Sequence, residues 1–277
     1  MGKIIGIISI KGGVGKTTTV SNLGTILAKD FGKKVLLVDA NFSAPNLGIH
    51  LGIVQPEKSL SDIMKNKSNI HDAIYQHELG FSILPGNILT NKVDVYMLKK
   101  KLKDVKNEFD IILLDSSPNL NHEILATMVA SDELLVITTP DFPTLSTTLG
   151  AVKTARQKKT PITGIIINRV LNKKFELTTE DIESASNCPV LAVLPNEIKI
   201  LEALSLVKPA ALHTPMSDAI IEYKKLAAFL IKENYNDNRI KTKINNLFCK
   251  PKKHEINRIN ILKESFDINN PPKAIKE

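Results

Sequence analysis

The chain has 277 residues, 43% hydrophobic and 24% charged, with a formal net charge of +8. That apolar share supports a sizeable core and excludes a disordered chain or a small disulfide-stapled scaffold. Its two cysteines, Cys188 and Cys249, stand 61 positions apart, which excludes a disulfide framework and any zinc or cluster site recognised by spacing.

Residues 3–10 are β-branched and almost wholly apolar, which predicts a buried strand. MGKIIGIISI runs straight into a glycine-rich loop without a cleavage site, unlike a signal peptide, so a cytoplasmic protein is expected. After the loop, Val20, Leu23, Ile26 and Leu27 recur with helical spacing over 16–29. KKVLLVDA (33–40) is a second buried strand. A short helix and a strand at 81–84 follow, then a helix over 92–106 from Val93, Met97, Leu98, Leu102 and Val105. Four more apolar runs, 109–118, 133–140, 162–170 and 189–195, read as strands, with helices at 145–157 and 216–231. Near-continuous apolar strands separated by amphipathic helices predict a three-layer α/β/α fold with a mostly parallel central sheet. Ligands of such sheets bind at the carboxyl ends of strands. Lys11, Asp39, Asp115, Asn168 and Asn196 all fall there. NYNDN ends the compact pattern near Asn234, dividing an expected domain at 1–233 from a basic extension at 234–277. No stretch reaches the roughly 18 apolar residues of a spanning helix.

KGGVGKTTT runs from Lys11 to Thr19, directly behind the first strand. Gly15-Lys16-Thr17 has the mechanism of a P-loop. Backbone N–H groups close on phosphate oxygens, Lys16 reaches the β and γ phosphates, and Thr17 offers a hydroxyl to Mg²⁺. The full pattern wants glycine at position 10, where Ile10 stands, and Lys11-Gly12-Gly13 takes over the front of the loop. KGGVGKTT resembles the deviant Walker A motif of the MinD/ParA family of P-loop ATPases. The resemblance covers residues 3–231 and implies an ATPase using ATP and Mg²⁺, with Lys11 to Thr18, Val14 included, around the phosphates. It also implies a homodimer in which Lys11 reaches the nucleotide of the neighbouring copy. A second fixed cation there would stabilise charge on the outer phosphate oxygens.

Asp39 and Asp115 each close a parallel strand. The resemblance makes Asp115 the Walker B carboxylate and Asp39 the first-switch aspartate beside the same ion; capping of a loop or helix is the plain structural alternative. DANFSAPNLGIHLG (39–52) resembles the first switch, with Asn41 where the family often has a second aspartate. Asparagine takes no proton at neutral pH but can orient water, so slow or partner-dependent hydrolysis is expected; an Asx turn is the alternative. LLDSSPNLN resembles the second switch, with Asn119 and Leu120 departing from it. IIINRV resembles the N-R motif, which implies Asn168 and Arg169 at the base, and Pro195 and Asn196 line the same place by resemblance.

Iron–sulfur members of the wider group need paired cysteines, which Cys188 does not provide. The extension bears on the rest. Residues 232–277 hold eleven Lys/Arg and six Asp/Glu. Within 238–253, Ile240, Ile244, Leu247 and Phe248 share a helical face flanked by Lys241, Lys243 and Lys250. That pattern suits an anionic membrane surface and resembles the MinD targeting tail, except that it is not terminal. Residues 254–268 follow with Ile256, Ile259, Leu262 and Phe266 on another face. These segments can touch a membrane, pack on the body or bind a protein activator or cargo. The favoured reading is MinD-like, peripheral on the inner face of the cell membrane. ParA-like DNA binding through body lysines and a nucleotide-holding module with little turnover stay open.

Overall fold

The computed structural model describes residues 2–88, 94–240, 242 and 251–269. Among these, eight strands form one sheet: β1 (Lys3–Ile8), β2 (Val35–Ala40), β3 (Tyr75–Gln76), β4 (Ser82–Leu84), β5 (Ile111–Ser116), β6 (Glu133–Thr138), β7 (Ile162–Val170) and β8 (Val190–Pro195). Their order is β3-β4-β2-β5-β1-β6-β7-β8, parallel throughout except for β3 against β4. The helices are α1 (Lys16–Lys29), α2 (Leu47–His50), α3 (Leu60–Met64), α4 (Val95–Lys103), α5 (His122–Ala130), α6 (Phe142–Gln157), α7 (Thr179–Ser186), α8 (Ile198–Ser205), α9 (Ala210–His213), α10 (Asp218–Leu230) and α11 (Lys253–Asn269).

Strand side chains alternate between faces, and the sheet is buried on both. Ile5, Ile7, Leu37, Leu113, Leu135 and Ile166 pack with α1, α9 and α10 on one side. Ile4, Leu36, Ile112 and Leu114 meet α3, α4 and α5, while Leu134, Val136 and Ile165 meet α5, α6 and α7, on the other. The three expected layers are present. Tyr223 of α10 crosses under the phosphate loop, its hydroxyl 2.8 Å from Thr19 Oγ1. Cys188 is free and buried, and Cys249 lies outside the described residues.

The C-terminal extension differs from its apolar pattern. Of the apolar face read over 254–268, Ile256 and Ile259 are 38% and 48% exposed, while Leu262 packs against the core. The inward face of α11 sets His254 and Arg258 beside Ile261 and Leu262. It docks on β8, the outermost strand, whose free edge would otherwise leave carbonyls unpaired. Arg258 donates to Leu191 O and to Glu222 Oε1, both at 2.6 Å, and Asn257 donates to Val190 O at 2.8 Å. His254 Nε2 lies 3.3 Å from Glu222 Oε1, and Lys225 pairs with Glu255 at 2.6 Å. Glu222, His254 and Glu255 are close enough to suggest a cation site, but Arg258 and Lys225 already neutralise both carboxylates. Polar contacts at the sheet edge, together with Ile261 and Leu262, therefore set the buried face. The apolar face of 238–253 falls largely outside the described residues; Ile240 alone of its four is described and is exposed.

Arg258→Met should leave the buried Glu222 carboxylate with His254 as its remaining partner and lower unfolding free energy by about 3–5 kcal/mol. Urea unfolding measures this, and adding Glu222→Gln should recover part of the loss.

Candidate functional site

The loop after β1 is held open by backbone geometry. Gly15, the residue before α1, has φ +104°, and a Cβ there would sit 2.3 Å from the Asn168 amide nitrogen. Gly13 also has positive φ, +75°. Only glycine takes these conformations without strain. The loop therefore turns its N–H groups to the start of α1, where unpaired donors and the helix dipole favour an anion.

Lys16 is buried at 7% exposure. Desolvation lowers its pKa, partly countered by the charge of Asp115. Thr17 donates from its hydroxyl to Asp115 Oδ2 at 2.6 Å and lies 3.1 Å from Asn46 Oδ1. With its proton on Asp115, the Thr17 oxygen keeps lone pairs for a cation. Asp115 Oδ1 is buried and has no hydrogen-bond partner. Asp39 sits opposite Asp115 in the β2–β5 register. It accepts the N–H groups of Leu47 at 2.9 Å and Asn41 at 3.2 Å. Burial, then repulsion by Asp115, pushes the Asp39 carboxyl up to about 8. Burial also raises Asp115, despite the Thr17 hydrogen bond and the Lys16 charge. An orphaned carboxylate oxygen beside a hydroxyl and a second carboxylate fits a hard divalent cation such as Mg²⁺.

The remaining expected residues divide by location. Lys11 does not turn into its own loop. It donates to Thr144 Oγ1 at 2.6 Å and lies 3.4 Å from Asp141 Oδ1, at the start of α6. With Gly12, Thr139, Arg169 and Phe175 it borders a cavity of about 350 Å³. Asn168 donates from its amide to Val14 O at 2.7 Å and accepts the Arg169 N–H at 2.9 Å, which braces the back of the loop. Arg169 is exposed with φ +59°. Pro195 pairs with Val170 at the next strand end, and Asn196 donates its N–H to Val170 O at 2.9 Å. Both amide atoms of Asn41 face Ala44, Nδ2 donating to the carbonyl at 2.6 Å and Oδ1 accepting the N–H at 3.3 Å.

Sequence reasoning missed Asn46, Glu123, Asp141 and Thr144. Glu123 accepts the Ser43 hydroxyl and, at 3.3 Å, the Ser43 N–H, tying the loop after β2 to α5. Asp141 and Thr144 follow TTP at the end of β6, a polar strand end of the kind that elsewhere signalled site residues.

A phosphate cradle, a buried lysine and two strand-end carboxylates along the carboxyl edge of a parallel sheet define a P-loop nucleotide-binding protein. A family model described as an AAA domain matches residues 2–159. An uncharacterized ATP-binding protein of Methanocaldococcus jannaschii is 32% identical over 230 residues, covering 82% of this chain and 87% of that one. The septum site-determining protein MinD of Pyrococcus horikoshii, complexed with Mg-ADP, superposes with a TM-score of 0.78 at 30% identity, covering 84% and 97%. A MinC:MinD cell division complex of Aquifex aeolicus gives 0.77 at 25%, covering 86% and 98%. The chain belongs to the MinD/ParA family of deviant Walker A P-loop ATPases.

The raised Asp39 carboxyl sets a pH dependence. An unfolded Asp titrates in the ordinary carboxylate range, whereas burial and Asp115 hold the folded one up to about 8. Between these values the folded state binds more protons, so stability falls as pH rises. The thermal midpoint of the nucleotide-free and metal-free protein should decline from about pH 5 to pH 8. Asp39→Asn should flatten that slope.

Proposed function

We propose that the chain is an ATP-gated dimeric switch. It binds Mg–ATP in the β1–α1 loop, pairs with a second copy across the nucleotides and hydrolyses ATP. Pairing controls its attachment to a surface and to a protein partner in spatial positioning or cell division. The observation that carries this reading is the separation of the two loop lysines. Lys16 is enclosed by its own loop, whereas the Lys11 side chain is 42% exposed and rests on α6. A lysine on the outer rim is free to serve a nucleotide that its own loop does not hold.

When bound, the triphosphate with Mg²⁺ supplies the phosphoryl group and the charge that Lys16, Thr17 and Asp115 are arranged to meet. Thr17 and Asp115 would hold the cation, with Asp39 opposite Asp115 in the strand register. Asn41 is the residue we assign to orienting the attacking water. Its amide now closes a turn on Ala44, so that turn must open first, which supports slow or partner-dependent turnover. Asn168 braces the loop from behind, and we assign Arg169, Pro195 and Asn196, at the ends of β7 and β8, to the base.

The surface we favour is anionic lipid, contacted through 238–250. Four apolar side chains at about 25 cal/mol per Å² anchor weakly, and pairing doubles the anchor. No helix among the described residues is long and apolar enough to cross a membrane. The related MinC:MinD complex supports a protein partner; DNA is the less favoured surface.

Co-sedimentation with anionic vesicles and with DNA, each with ATP and with ADP, tests the reading. Vesicle binding should require ATP and disappear when Leu247 and Phe248 are both replaced by serine, which leaves α11 and Arg258 in place; equal binding with ADP rejects the switch. Asn41→Asp should raise single-turnover phosphate release, and an unchanged rate removes Asn41 from the chemistry.

A further inference from the structure

The Lys11 ammonium occupies an unfavourable place for a cation. It stands at the N-terminus of α6, the positive end of that helix dipole. Asp141 and Thr144 keep it there. Asp141 is the N-cap of α6 and accepts the Thr144 N–H at 2.9 Å. The Thr144 hydroxyl lies 2.8 Å from both Asp141 carboxylate oxygens. With its proton donated to Asp141, Thr144 Oγ1 is an acceptor for Lys11 at 2.6 Å. Ammonium, hydroxyl and carboxylate thus form a chain whose ends carry opposite charges. Burial raises the Asp141 pKa, but hydrogen bonds from Thr139 and Thr144 and the Lys11 charge outweigh that and hold the group ionised.

The contact is also weak. Both charged side chains are 42% exposed, and exposed ion pairs contribute little. A triphosphate concentrates several negative charges within reach of one ammonium and outcompetes a single carboxylate. A charge held just firmly enough to stay home, and loosely enough to be drawn off, behaves as a threshold.

We propose that Asp141 and Thr144 form a perch that retains Lys11 within its own subunit until the nucleotide of a second copy draws it away. The perch thereby sets how much ATP-loaded protein is needed for pairing. The proposal rests on the two-copy reading above. Asp141 is a positioning residue, acting through Lys11.

Asp141→Asn tests it, because asparagine keeps an N-cap acceptor and removes the charge. Thr144→Val provides a second variant that breaks the chain at the hydroxyl while filling the same space. Two quantities are measured: the acylation rate of Lys11 in nucleotide-free protein, read by peptide mass spectrometry with limiting acetic anhydride, and the protein concentration at half-dimerisation with Mg–ATP, read by sedimentation velocity. In both variants Lys11 should acylate faster. The half-dimerisation concentration should fall by about 2- to 30-fold, since each pairing vacates two perches. With ADP both variants and the wild type should stay single. A wild type that pairs while either folded variant keeps an unmoved or higher midpoint overturns the perch alone. A wild type that stays single with Mg–ATP overturns the two-copy reading and the perch's role together.

Discussion

The arrangement depends on two carboxylates that the strand register brings together in the core of the site. Asp39 and Asp115 lie opposite each other on adjacent parallel strands, both essentially buried. Like charges in such a place resist ionisation together. Lys16 is the cation enclosed with them, and it is itself penalised by burial. Burial thus penalises all three charges at once, and they are electrostatically frustrated by construction. The sheet core fixes the backbone on either side, so relief comes from bound charge rather than from rearrangement of the strands.

That frustration is wired to the loops that could move. Asp39 holds the N–H groups of Asn41 and Leu47, at opposite ends of the segment after β2. Thr17 touches Asn46 within that segment and Asp115 on the neighbouring strand. Ser43, at its tip, is tied to Glu123 on α5. A change in charge at the two carboxylates therefore reaches the loop at several points. It also reaches α5 through Glu123, along bonds that join the same few residues. Asn41 is part of this wiring: Asp39 accepts its backbone N–H, and Ala44 holds both of its amide atoms.

The strands and the phosphate loop were legible because their signals are local. Apolar runs, the glycines at 12, 13 and 15, and the strand-end carboxylates are each visible within ten residues. The partners of those residues were not. Lys11 meets Asp141 across 130 positions, and Ser43 meets Glu123 across 80. Only the sheet order brings such pairs together. Asn41 and Asn168 were legible as amides after strand ends, but their acceptors, Ala44 O and Val14 O, depend on loop geometry. The face of α11 was legible only in part: packing on the body was one of the uses its apolar spacing left open, and Leu262 packs inward, while a sheet edge took Asn257 and Arg258 and left Ile256 and Ile259 outward.

The docking of α11 constrains the use of the segment before it. Arg239 is fixed to Asp218 at 2.7 Å and to Met216 O at 3.1 Å, both at the start of α10. Further along the same helix, Lys225 pairs with Glu255 of α11. Residues 240–250 are therefore bracketed by two anchors on one helix, unlike a free terminal tail.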